Sequence, residues 1–175
     1  MPLVTKKSLL VVALCMLFST VVLAQDATQA APELSAAQKS ALLKEFARSA
    51  SVDGVVFNYV LLNNKTIDIL FPGDAKYAMR ARANVATMFF VQGLPSKDIA
   101  QFDPKFIIEQ EGKSFEGENV NIRNLQAGAL AKGTKIEGLI QLSQKIDVTH
   151  PFKIKSARNT TEFKLSQEAV KLLQN

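Results

Sequence analysis

The sequence predicts a mainly β fold, an antiparallel β-sandwich preceded by an amphipathic helix and followed by a short helix. Three observations carry that expectation. From Gly54 onward apolar residues recur at a period near two, as half-buried strands require. The run from Phe106 to Phe115 reads as two strands hinged at Glu111-Gly112-Lys113, because glycine reaches positive φ at no steric cost. Gly128, Gly133 and Gly138 then fall at regular spacing and bracket a turn before a strand whose Ile136, Leu139, Ile140 and Leu142 need burial.

Residues 1–24 read as a secretory signal peptide. Lys6 and Lys7 form a positive start, Leu9 to Val22 is almost unbroken apolar sequence, and Val22-Leu23-Ala24 puts a small residue ahead of Gln25. Two alternatives share the stretch. An uncleaved membrane anchor would use a run shorter than the ~20 residues of a relaxed span; a lipid-anchored Cys15 would need the apolar run to stop there, and it continues. Cleavage leaves about 150 residues, enough for one core that buries roughly 68–70% of the unfolded chain's surface. Cys15 is the only cysteine, so no disulfide is expected. A periplasmic or secreted location follows, with the membrane involved only through the signal peptide if it stays uncleaved.

Residues 25–34 are too poor in large apolar side chains to hold structure and read as a linker. Ser35-Ala-Ala-Gln38 matches a capping box. It opens a helix over 35–50, with Ala41, Leu42, Phe46 and Ala50 on one face and Lys39, Lys44, Glu45 and Arg48 elsewhere. The β-sandwich domain occupies 54–157. Val55–Leu62 and Thr66–Phe71 read as a hairpin about Asn63-Asn64-Lys65, and Pro72-Gly73-Asp74 as a turn. Ala75 to Val91 is the longest strand expected. Tyr77, Met79, Ala81, Ala83, Val85, Thr87, Phe89 and Val91 share one parity; Lys76, Arg80, Arg82 and Asn84 share the other, until Met88 and Phe90 make that face apolar too. Glu118–Gln126 suits an edge strand with a polar outer row. Val148–Ser156 is a strand broken by Pro151, and Ser166 caps a final helix within 165–174.

The apolar strand ending near Val91 is followed by Phe106-Ile107-Ile108, Gly112-Lys113 and Phe115. Leu130, Gly133, Gly138-Leu139-Ile140 and Phe152-Lys153-Ile154 come after. On these residues, about 75–155 of the chain resembles the telokin-like extracellular domains, a family mostly of unknown function. The resemblance implies an immunoglobulin-like antiparallel β-sandwich with a binding or assembly role, and it transfers no catalytic residue. The helices on either side are additions to that pattern.

Composition narrows the chemistry. The net charge of +5 includes Lys6 and Lys7, so a mild excess of +3 remains without them. That suits weak attraction to anionic envelope surfaces and is small for a nucleic-acid partner; two Tyr and no Trp leave little for base stacking. One histidine, His150 before Pro151, cannot supply the three or four ligands of a zinc site. With no cysteine beyond position 15 and no Gly-x-Ser-x-Gly elbow, a nucleophile with its base is not expected either. No cofactor is implied.

Two constellations remain. Lys76, Arg80 and Arg82 would form one row of a strand, about 6–7 Å per two residues, and are candidate ligand-binding residues for phosphate, carboxylate or an anionic glycan. Glu109 and Glu111, with Glu116 and Glu118 across the hairpin, read as a solvated charged tip or as the carboxylate pair of a hydrolase. The leading expectation is an exported, non-enzymatic domain that binds an anionic envelope polymer or a protein partner through an exposed sheet edge. The alternatives are a carboxylate-dependent hydrolase and an assembly or chaperone-like envelope subunit.

Overall fold

The alternation that begins at Ala47 builds one sheet, not two. In the computed structural model, which describes residues 34–103, 105–123, 127–156 and 159–174 without the side chains of 121–123, eight antiparallel strands follow one another across a single sheet. Their order is β1 (Ala47–Val52), β2 (Val55–Leu61), β3 (Met88–Pro95), β8 (Ile136–Leu142), β6 (Lys113–Arg123), β5 (Phe106–Gln110), β9 (Phe152–Ser156) and β10 (Asn159–Phe163). Two short strands, β4 (Ile99–Phe102) and β7 (Gly128–Leu130), pair separately. The helices are α1 (Ala36–Glu45), α2 (Asn64–Leu70), α3 (Ala75–Val85) and α4 (Gln167–Gln174). Leu34–Asn175 is a compact unit that holds the whole described core. The expected signal peptide at 1–24, Cys15, and the expected linker apart from Leu34 lie outside the described residues, as do 124–126 of the expected edge strand.

The sheet curls until its outermost strands meet. Arg48 on β1 donates through Nη2 to the carbonyl of Lys164, just past β10, and its guanidinium carbon lies 5.6 Å from the centroid of the Phe163 ring. The product is a near-closed eight-stranded barrel, which corrects the expected immunoglobulin-like two-sheet sandwich. Both architectures alternate inward and outward residues along every strand, so the period of two cannot separate them. The lumen is filled by side chains. Phe57, Phe89, Phe106, Phe152 and Phe163 are wholly buried, with Tyr59 beside them. Phe152 and Phe163 stack with centroids 4.8 Å apart, and Phe57 meets Phe106 edge-on at 5.8 Å. Ile99 and Phe102 of β4 and Leu130 of β7 join the same core.

Strand glycines let the barrel wall curve inward over these rings. Gly93 lies opposite Phe57 and Gly117 opposite Phe106. A Cβ at Gly93 would sit 2.6 Å from Phe57 Cε1, so the ring occupies the space a side chain would need.

Two expected strands are helices. Asn63 opens α2 rather than a hairpin: its Oδ1 accepts from Lys65 N at 2.9 Å and Thr66 N at 3.1 Å, and Thr66 Oγ1 accepts from Asn63 N at 2.9 Å. This reciprocal box satisfies three free backbone donors at the cost of no tertiary contact. The expected strand from Ala75 to Val91 divides into α3 and β3. Four of the eleven α3 residues are alanine, the best helix former, and Met79 and Ala83, one turn apart, pack with Ile67, Leu70 and Phe71 of the preceding segment. Together α2 and α3 cover the outer surface of the wall at Met88, Phe90, Leu139 and Val120. β3 is therefore apolar on both faces, with Phe89 and Val91 in the lumen and Met88 and Phe90 under the helices.

Smaller differences follow from local chemistry. The first helix stops at Glu45, with the wholly buried Phe46 as its C-cap, and the chain turns into β1. Asp53 (φ 49°) and Gly54 (φ 90°) then make the two-residue turn to β2. β6 lies between β8 and β5 rather than at an edge. Pro151 directly precedes β9 and so costs it no ladder bond. The hinge at Glu111-Gly112, with φ of 50° and 77°, is as expected, and so are the Ser35 capping box and the Ser166 cap, which accepts from Ala169 N at 3.0 Å.

Candidate functional site

At the end of the barrel away from the β1–β2 turn lies a cleft of about 290 Å³. Five segments build it. β2 ends at Leu61, and Leu62 N beyond it still donates to Met88 O at 2.9 Å before Asn63 turns the chain into α2. α3 ends at Val85, and its C-cap Ala86 leads into the buried Thr87. Thr87 holds the connection between β8 and β9: its amide donates to Gln144 O at 3.2 Å, and its Oγ1 accepts from Ile146 N at 3.0 Å. Lys145, Ile146 and Val148 are thereby set against the ends of β2 and α3.

Two further anchors fix the walls. Gln110, buried at the end of β5, donates through Nε2 to Asp147 O at 2.7 Å and to His150 O at 3.3 Å. The Asp147 carboxylate accepts from Thr149 Oγ1 at 2.6 Å, Thr149 N at 2.9 Å and His150 Nδ1 at 2.8 Å. These bonds, those from Thr149 foremost, hold its pKa below the ordinary aspartate value. On the far side, Ser166 donates to Glu45 Oε2 at 2.5 Å and Ala169 is wholly buried, which seats α4 so that Leu172 and Leu173 line the cleft.

The floor is apolar, made by Leu61, Leu62, Ile146, Val148, Leu172 and Leu173; the rim is polar, made by Asn63, Asn64, Asn84, Lys65 and Lys145. No lining residue is acidic. The amide nitrogen of Asn63 is buried without a hydrogen-bond partner among the described residues. Two cations and several amide groups above hydrocarbon suit an anion with an apolar body. The volume lies at the small end of the usual ligand range, about 300–1,000 Å³.

The residues expected from sequence lie elsewhere. Lys76, Arg80 and Arg82 sit on α3 rather than on a strand, and at roughly 100° per residue Arg82 points about 200° away from Arg80. Arg80 Nη2 is committed to Asp68, at 2.5 Å from Oδ1 and 2.6 Å from Oδ2, tying α3 to α2. Lys76 Nζ lies 5.2 Å over the ring of Tyr77. None of the three lines the cleft, whose cations are Lys65 and Lys145.

Glu109, Glu116 and Glu118 project from the outer face of the sheet. Glu109 lies opposite Ser114 and Lys153, Glu116 opposite Ile107, and Glu118 opposite Gln141. Glu109 Oε1 accepts from Lys155 Nζ at 2.5 Å. An open hollow of about 460 Å³ takes in Glu109, Glu111 and Glu162 with Lys153, while Glu116 and Glu118 fall outside it. The arrangement is a row of alternating charge on a solvated wall. Among the described residues no cluster of His, Cys, Asp and Glu suits a metal ion, and no helix is long and apolar enough to cross a membrane.

Lys65 carried a legible signal, since it stands inside the Asn63-x-x-Thr66 box. Lys145 had none: it lies in a polar connection with no periodicity, and long-range bonds from Thr87 and Gln110 hold that connection at the cleft. No protein-family model, curated protein or solved structure matches the chain, so the cleft's own chemistry has to carry the functional reading.

Proposed function

We propose that this domain is an exported, non-enzymatic binding module that takes a small amphipathic anion, an apolar chain or ring ending in carboxylate or phosphate, into the cleft at the end of the barrel. The observation that carries the reading is the pairing of Lys65 and Lys145 on an acid-free rim with a floor of leucine, isoleucine and valine. The apolar body would gain about 25 cal/mol for each Å² removed from water, and the head group would meet ammonium and amide donors in a partly desolvated setting. The lumen is packed with aromatic rings, so a ligand would sit in the end cleft rather than inside the barrel.

Titration calorimetry of residues 34–175 with octanoate and with octanol tests the reading. Octanoate should bind at least roughly ten-fold more tightly than octanol, and Lys65→Ser/Lys145→Ser should erase that preference, a loss of about 1.4 kcal/mol or more. Equal binding of acid and alcohol by the wild type, or an unchanged preference in the double variant, would sink it.

A further inference from the structure

Helix α3 has two apolar faces and uses only one of them in the fold. Met79 and Ala83 pack toward the sheet, whereas Tyr77, Ala78, Ala81 and Val85, at i, i+1, i+4 and i+8, line the opposite side and are exposed. Tyr77 is 60% exposed and Val85 72%, the two largest values among the exposed large apolar side chains described. Lone exposed apolar residues need no explanation, but a contiguous patch on one helix face marks an interaction surface.

Charge identifies the occupant. Ala75–Val85 contains Lys76, Arg80 and Arg82 and no acid. Arg80 is spent on Asp68, which leaves Lys76 beside Tyr77 and the exposed Arg82 at the patch. A second copy related by a two-fold axis through the patch would bring Lys76 of each helix toward Arg82 of the other, which is repulsive. An anionic bilayer has the opposite sign, and its interface favours both tyrosine and basic residues beside an apolar helix face.

We infer that α3 docks on the surface of an anionic lipid bilayer, with Tyr77 and Val85 at the acyl boundary and Lys76 and Arg82 among the head groups. Asn84, next to Val85, lines the cleft, so docking brings the cleft mouth to the membrane surface. The inference rests on a different face from the proposed ligand site, and each can fail without the other.

Co-sedimentation of residues 34–175 with phosphatidylcholine vesicles, with and without phosphatidylglycerol, tests it. Retention should require phosphatidylglycerol and weaken with added salt. It should fall roughly thirty-fold in Lys76→Ser/Arg82→Ser, as expected for two interfacial cations, and markedly in Tyr77→Ser/Val85→Ser. Tyr77, Arg82 and Val85 are exposed and Lys76 is half-buried, so an unchanged urea midpoint confirms that the variants are folded, and octanoate titration without vesicles should be unaltered. Equal retention on both vesicle types, or retention unchanged in either variant, overturns the inference. So does a concentration-dependent dimer that Val85→Ser abolishes, since the patch would then belong to a second copy.

Discussion

The Arg48 guanidinium closes the barrel by lying over the ring of Phe163, 5.6 Å from its centroid, while donating to the carbonyl of Lys164. The same group donates through Nη1 to Ala47 O at 2.5 Å and to Glu45 O at 3.3 Å. One planar fork thus ties the end of α1, the start of β1 and the chain beyond β10. Charge-assisted bonds and a cation over an aromatic face together support a contribution of about 2 kcal/mol. Arg48→Ala should lower the urea-derived stability by that amount and speed amide exchange in β1 and β10 more than in β6. Arg48→Lys should recover less than half, because an ammonium cannot span several carbonyls in one plane. A full recovery by lysine would show that charge alone closes the seam.

Two glycines should fail for different reasons when changed to alanine. At Gly117 the new Cβ would lie 2.6 Å from Ile140 Cγ2 and 3.2 Å from Phe106 O, an overpacking cost of roughly 1–3 kcal/mol. At Gly112 nothing lies within 4 Å, but φ is 77°, and holding alanine there costs about 1–2 kcal/mol. Double-mutant cycles separate the mechanisms. The Gly117→Ala penalty should shrink in an Ile140→Ala background, whereas the Gly112→Ala penalty should add to it unchanged; Gly112→Asn should restore most of the loss. Equal coupling of both glycines to Ile140 would contradict this account.

What could be read from sequence follows the range of the interactions involved. The Ser35 box, the Ser166 cap and the Glu111-Gly112 hinge need only neighbouring residues, and all three are present. The burial of Met88 and Phe90 on the second face was legible because a strand that turns apolar on both sides must be covered on both. Reading Ala75–Val91 by parity failed because alanine satisfies either period; its helix propensity was the informative signal. Asn63 was ambiguous between a positive-φ turn residue and an N-cap, and Thr66, three residues on, decides it. Asp53-Gly54, a strong two-residue hairpin signal, was overrun by extending the first helix to Ala50. Closure of eight strands into one barrel depends on register and on contacts such as Arg48 to Lys164, 116 positions away. The cleft draws its rim from separate segments for the same reason, and no local pattern joins Lys65 to Lys145.

Tyr59 is the last test, because its hydroxyl, like that of Ser156, is buried in the lumen without a hydrogen-bond partner among the described residues. The ring is 1% exposed, with Phe57 at 5.9 Å and Phe106 at 6.1 Å, and its oxygen has no hydrogen-bond partner among the described residues. Removing a buried, unpaired hydroxyl relieves its desolvation, so Tyr59→Phe should be neutral or stabilise by up to about 1 kcal/mol near pH 7. Burial also pushes the phenol pKa above its ordinary value of 10.0. The folded state then holds its proton where the unfolded chain has lost it. The contribution is complete below 10.0 and is lost as pH rises from there toward the folded value, at about 1.4 kcal/mol per pH unit. Urea titrations at about pH 9 and about pH 11 should therefore show the advantage of Tyr59→Phe growing by roughly 1 kcal/mol between them. A constant or shrinking difference would mean that the phenol ionises as readily in the folded barrel as in the open chain.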